Sequence, residues 1–169
     1  FTPRKIEKTF DYLAHSFAYW AQALYELDLL APGSRLLGLT NVLHDSLLNN
    51  LALVAAAKAA LQMYVRHLAI ELGPLGHRVN LLKFGTTLTP AVRTVMGPEA
   101  VARLEAIHRD IIPAGRMGTA EEVARLVSLL CREDTLWFNG ATIDFTGGMV
   151  LRLLDVIMRP DSSHLQQPT

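Results

Sequence analysis

Lys58 is the residue that first suggests chemistry. Val54, Lys58, Leu61, Val65, Leu68 and Leu72 recur at alternating spacings of four and three, which places all six on one stripe of a helix. An ammonium group inside an apolar stripe either snorkels to water along its methylene stem or holds its charge against a ligand or a carboxylate. A second polar set follows a short apolar run: Thr40, Asn41, His44 and Ser46 carry hydroxyl, amide and imidazole groups able to donate a proton or a hydrogen bond. Short polar side chains in a loop also form turns, so both readings stand for these residues.

Other chemistries find little support. His15, His44, His67, His77 and His108 make no H-x3-H pair with a following acid, so no metal site is expected. Cys131 is the only cysteine, which excludes an internal disulfide framework and a multi-cysteine zinc site. It reads as a core thiol in a reducing compartment, taken as the cytoplasm. Sixteen Lys plus Arg balance sixteen Asp plus Glu, so no global field would draw the chain to nucleic acid or to an anionic membrane. The small basic cluster Arg4, Lys5 and Lys8 reads as a solvated helix face. The richest apolar run, Leu51 to Leu61, carries Lys58 and falls short of the roughly 18 uncharged residues of a membrane span.

The elements that must position these groups alternate between helix and strand. Thr2-Pro3 caps a long helix predicted from Pro3 to Leu30 and ended by Pro32-Gly33. A short strand follows over Arg35 to Leu39, then the stripe helix from about Leu51, stopped at Gly73-Pro74, then a strand over Arg78 to Phe84. Strand, helix and strand in that order make a βαβ unit with a parallel pair. A long insertion over 86–118 carries two short helices split at Gly97-Pro98. Thr119-Ala120-Glu121-Glu122 is a capping box for a helix to about Cys131, and a last strand spans Ala141 to Phe145. The three strands are hydrophobic on both faces, as in a sheet covered by helices on each side, and one sheet edge looks incomplete. Leu151 to Met158 reads as a final helix or an arm, and the tail beyond Pro160 as disordered.

Four stretches carry a family resemblance. VAAAKAALQMYVRHLAIELGPLGHRVNLLKFG, GTTLTP, PAGRMGTAEEVARLVSLL and NGATIDFTGG, in that order, resemble the active-site helix with its following strand, the nicotinamide loop, the next helix and the last strand of short-chain dehydrogenases/reductases. The likeness is greatest to the enoyl-acyl-carrier-protein reductase branch and spans nearly the whole chain. It implies the C-terminal half of a Rossmann-like doubly wound parallel α/β sheet over 1–150, with an arm and tail over 151–169. It also implies NAD(P)H as cofactor, with Lys58, Thr40, Gly85, Thr87 and Thr89 as the residues that meet it, and Lys58 and Asn41 as catalytic candidates.

The departures from the family pattern bear on activity. The phenol that lies four residues before the lysine in the wider superfamily falls on Val54; in the enoyl reductase branch it lies seven before, on Leu51, with a second tyrosine at Asn41. Tyr64 stands six residues, about 240°, around the helix from Lys58, so it is not expected to substitute. No glycine-rich strand–turn–helix for a pyrophosphate appears in the sequence. Two readings therefore remain: a reductase of acyl thioesters or enones completed by an N-terminal half, or a catalytically inactive relative acting as a structural or regulatory subunit. The resemblance further implies a homo-oligomer, dimer or tetramer, and the first helix carries Phe10, Tyr12, Phe17, Tyr19 and Trp20 around much of its circumference.

Overall fold

The structure, a computed structural model, describes residues 1–42, 49–149 and 151. Three parallel strands, β1 (Arg35–Asn41), β2 (Arg78–Phe84) and β3 (Thr142–Phe145), form one sheet in the order β1-β2-β3. Arg35 pairs with Arg78 and Asn41 with Phe84, while Leu81 to Phe84 pair with Thr142 to Phe145. Thr40 and Asn41, expected to follow the first strand, are its last two residues. His44 and Ser46, the arm beyond Leu151 and the tail lie outside the described residues.

Alternation along the strands sorts the sheet into two unlike faces. Leu36, Val79 and Leu81 join Leu61, Val65, Ala69 and Leu72 of helix α3 (Ala52–Leu72) in the core. Gly38 allows the approach: a Cβ there would lie 3.0 Å from Leu81 Cδ1 and 3.2 Å from Val65 Cγ2. The opposite face is less covered than its sequence suggests. Leu82 on it is buried, but Leu39 is 47 % exposed and Phe145 of β3 is exposed as well. β1 is paired on one side only, which is the incomplete edge the sequence indicates.

The long first helix is interrupted and shorter than predicted. α1 (Pro3–Phe10) and α2 (Ser16–Glu26) flank one π-helical turn at Asp11–His15. Its end comes before Pro32: Asp28 adopts φ 53°, and the Leu29 and Asp28 amides donate to Leu24 O and Tyr25 O, a Schellman closure. α3 stops at Leu72, where Gly73-Pro74 is expected to end it, but Gly73 itself is right-handed and opens a 3-10 turn over Gly73–Leu75, and Gly76, at φ 92°, provides the left-handed turn.

The insertion is α4 (Pro90–Ile111), broken at Gly97 (φ 75°, ψ 166°) as the Gly-Pro pair predicts. α5 (Ala120–Leu130) starts with the expected capping box of Thr119 and Glu122. Cys131 caps the end of α5 and is exposed, so it is not the core thiol expected; the helix delivers its last residue to the surface. Two side-chain amides fix the approach to β3: Asn80 donates to Phe138 O and accepts from Ala141 N, and Asn139 accepts from Val79 N and donates to Ala69 O. No helix among the described residues is long and apolar enough to cross a membrane.

Candidate active site

In open parallel sheets the crevice beyond the carboxyl ends of the strands is where ligands bind. Here the ends of β1 and β2 open into a cleft of about 440 Å³, in which Asn41, Gly85, Thr87 and Thr89 line a space floored by Leu39 and Phe84 and walled by α5. Four of the six residues singled out in the sequence thus share one cavity. Gly85 is bare for a reason: a Cβ there would stand 3.3 Å from the Thr146 carbonyl oxygen and 3.5 Å from its Cα. The loop then turns tightly, with Thr87 Oγ1 donating to Gly85 O at 3.3 Å and Thr89 N to Thr87 O at 3.1 Å. Thr87 also forms a parallel bridge with Gly118, so the two ends of the insertion are held together.

A buried histidine reinforces that base. His108, on the returning half of α4, is 4 % exposed; its Nδ1 lies 2.8 Å from Leu104 O and its Nε2 2.7 Å from Thr86 Oγ1. A carbonyl can only accept, so Nδ1 carries a proton and donates to Leu104 O, while Nε2 shares a hydrogen bond with the Thr86 hydroxyl. The loop after β2 is thereby pinned to the helix that follows it. Nothing in the sequence marks His108 for this role, because its partner lies 22 residues away.

Lys58 sits beside this cleft rather than within it. Its Nζ donates to Leu39 O at 3.0 Å, and partial burial lowers its pKa from the ordinary lysine value. It lines a smaller cleft of about 260 Å³ on the open edge of β1, with Tyr12, Ser16, Phe17, Trp20 and Leu37. Leu39 is common to both clefts. Thr40 points to the other face, 1 % exposed, and its hydroxyl has no hydrogen-bond partner among the described residues.

The phenol positions are as apolar in space as in sequence. Leu51 is the residue before the first turn of α3, and Val54 lines a cleft of about 510 Å³ with Lys5, Lys8, Tyr12 and Asn50. Tyr64 is committed elsewhere, its Oη 2.9 Å from His15 Nδ1. Tyr12 was not indicated by the sequence, lying 46 residues from Lys58, yet it lines both the Lys58 and the Val54 cleft.

Asp144 is structural: it pairs with buried Lys83 at 2.7 Å and accepts from Thr146 N and Oγ1. Burial would raise its carboxyl, but the hydrogen bonds from Lys83 and Thr146 outweigh it and hold the group below its usual value. Among the described residues no cluster of His, Cys, Asp or Glu could hold a metal ion. The main cleft suits a nicotinamide ring, with an apolar floor for the ring and threonine hydroxyls for the carboxamide.

Comparison with known proteins identifies the family. Residues 1–150 match the family described as Enoyl-(Acyl carrier protein) reductase. The chain is 40 % identical over 98 residues to dehydrogenase OXI1 of Cochliobolus heterostrophus, covering 57 % of this chain and 42 % of the relative. It is 39 % identical over 97 residues to the 3-oxoacyl-[acyl-carrier-protein] reductase FabG of Pseudomonas aeruginosa, covering 57 % and 37 %. A short-chain dehydrogenase from Burkholderia cenocepacia in complex with NADP superposes with a TM-score of 0.74 at 27 % identity, over 89 % of this chain and 58 % of that one. The matched stretches therefore amount to about two-fifths of the curated relatives' length. On the family match and the parallel sheet together, the chain belongs to the short-chain dehydrogenase/reductase superfamily, in its Enoyl-(Acyl carrier protein) reductase family.

Proposed function

We propose that this chain is the nicotinamide- and substrate-binding half of an NAD(P)H-dependent reductase of acyl thioesters or related enones, completed by an N-terminal half that holds the rest of the dinucleotide. The observation that carries the reading is the convergence of Asn41, Gly85, Thr87 and Thr89 on one cleft, with Lys58 one residue's width away across Leu39. The NADP held by the Burkholderia relative supports the cofactor class. NAD(P)H would supply the hydride. Thr87 and Thr89 would orient the carboxamide, Gly85 would let the ring approach the backbone, and Lys58 would meet the ribose hydroxyls after leaving Leu39 O. Asn41 would donate a hydrogen bond to the substrate oxygen, and the 86–118 insertion would close over the acyl chain as a lid.

The open edge of β1 is where the missing half would add its strand, on the same polypeptide or another. Residues 1–150 form the domain in this account, 151–169 an arm, and the cytoplasm is the compartment. The exposed aromatics Tyr12, Tyr19, Trp20 and Tyr25 along α1 and α2 favour association into a dimer or tetramer; sedimentation as a single monomeric species would rule that out. A second reading, a catalytically inactive subunit that keeps the lysine, is favoured by Val54 and Leu51 at both phenol positions. Titration with NADH and NADPH, followed by turnover of a crotonyl thioester with Lys58→Ala as control, separates the two. With the full-length protein, binding with turnover that the control loses supports the reductase, whereas absence of turnover, with or without binding, refutes it and supports the inactive subunit.

A further inference from the structure

We propose that the insertion holds an anionic end of the substrate, a carboxylate or a phosphate, on Arg109 and Arg93. A second cleft, of about 500 Å³, lies between the insertion and the first turn of α5, and it shares Thr89 and Ala120 with the main cleft. No residue of β1 lines it. Arg93 stands on the first half of α4, before the break at Gly97, and Arg109 near the end of the returning half, so the fold of the insertion brings both guanidinium groups to one space.

The charges around this cleft leave one cation over. Arg116 is committed: it donates to both carboxylate oxygens of Glu122, at 3.0 and 2.7 Å, and to Met117 O. Arg93 faces Glu105 at 3.8 Å with both side chains about half exposed. An ion pair so long and so wet is worth little, and a better acceptor displaces it. Glu121 lies in the first turn of α5, where the amides of the helix start offset a negative charge. Among the described residues the Arg109 side chain has neither a hydrogen bond nor an ion pair, although it borders the same cleft.

A guanidinium presents a planar fork of donors that fits two oxygens of a carboxylate or a phosphate. An anion seated on Arg109 also draws Arg93 away from Glu105, and the two halves of α4 then grip it from either side of the Gly97 break. Thr89 borders both clefts, so a substrate whose reacting carbon lies in the main cleft passes this threonine to reach the arginines. The inference rests on the reductase reading and narrows its substrates to those with a negative charge away from the reacting double bond, a non-reacting part whose binding positions the rest.

The test compares the full-length protein with Arg109→Met and with Arg103→Met, which removes an exposed arginine of the same helix outside the cleft. Inorganic phosphate and glutarate are titrated at constant ionic strength and followed by arginine side-chain NMR. KM is then measured with three thioesters: crotonyl N-acetylcysteamine, which has no anion, glutaconyl N-acetylcysteamine, with a carboxylate at the acyl end, and crotonyl phosphopantetheine, with a phosphate on the carrier arm. The expected result is saturable binding centred on Arg109 and Arg93, lost in Arg109→Met and kept in Arg103→Met. Arg109→Met should also raise KM about 10-fold for one of the charged thioesters and leave the uncharged one unchanged; the thioester affected identifies the anion. Absence of saturable binding, or the same effect on all three thioesters, none included, overturns this inference alone. Anion binding that Arg109→Met loses, without turnover of any thioester, overturns the reductase reading and supports the anion site.

Discussion

His108→Ala should loosen the base of the insertion, and its cost can be worked from two bonds and a void. The imidazole is 4 % exposed and makes two hydrogen bonds, with Leu104 O and Thr86 Oγ1. Each is worth about 1 kcal/mol net, and the cavity left by a ring in packed surroundings brings the total to about 2–4 kcal/mol. At roughly 2–4 °C per kcal/mol for a chain of this size, the melting temperature should fall by roughly 5–15 °C. Thr86→Val isolates one bond, at about 1 kcal/mol, because the methyl fills the place of the hydroxyl but cannot donate. Thermal and urea unfolding of the two single variants and the double variant then give a coupling energy, expected at about 1 kcal/mol. If the two effects simply add, the Thr86–His108 bond does not hold the loop after β2 to α4.

Two further predictions follow from exposed and close-packed groups. Glu122 accepts from Arg116 and from Thr119 N, and these bonds depress its carboxyl from 4.5 to about 2. A depressed carboxyl stabilises the fold above its unfolded pKa and loses that contribution as pH falls towards the folded value, so a melting curve followed from pH 5 to pH 2 should decline less steeply in Glu122→Gln; an identical slope would count against the capping box as an acid-sensitive element. Gly38→Ala sets a methyl 3.0 Å from Leu81 Cδ1 and 3.2 Å from Val65 Cγ2, and overpacking of this kind costs about 1–3 kcal/mol; unchanged unfolding in urea would show that α3 can back away from β1 freely.

Much of the fold can be read from period and punctuation. The stripe through Lys58, the apolar runs of β1 and β2, the Gly97 break and the Thr119 capping box all appear where local pattern puts them, because each depends on residues within one turn or one strand. The misplaced end of the first helix has a different cause: Asp28 adopts a left-handed conformation usually left to glycine. α3 ends where Gly73-Pro74 puts it, yet the left-handed residue is Gly76 rather than Gly73, which residue type alone does not dictate. The site divides in the same way. Gly85, Thr87 and Thr89 are legible because their motif is contiguous, whereas His108 bonds to a residue 22 positions away and becomes visible only when the helices are packed. The π-helical turn that carries Tyr12 follows from no spacing in the sequence.

The most direct test of the central claim is an NMR titration of the protein with NADPH, observing backbone amides. The account predicts shifts centred on Asn41, Gly85, Thr87 and Thr89, with the Lys58 side chain responding and β3 and the far end of α5 quiet. Saturable shifts centred anywhere else, or none at these four amides, would contradict it.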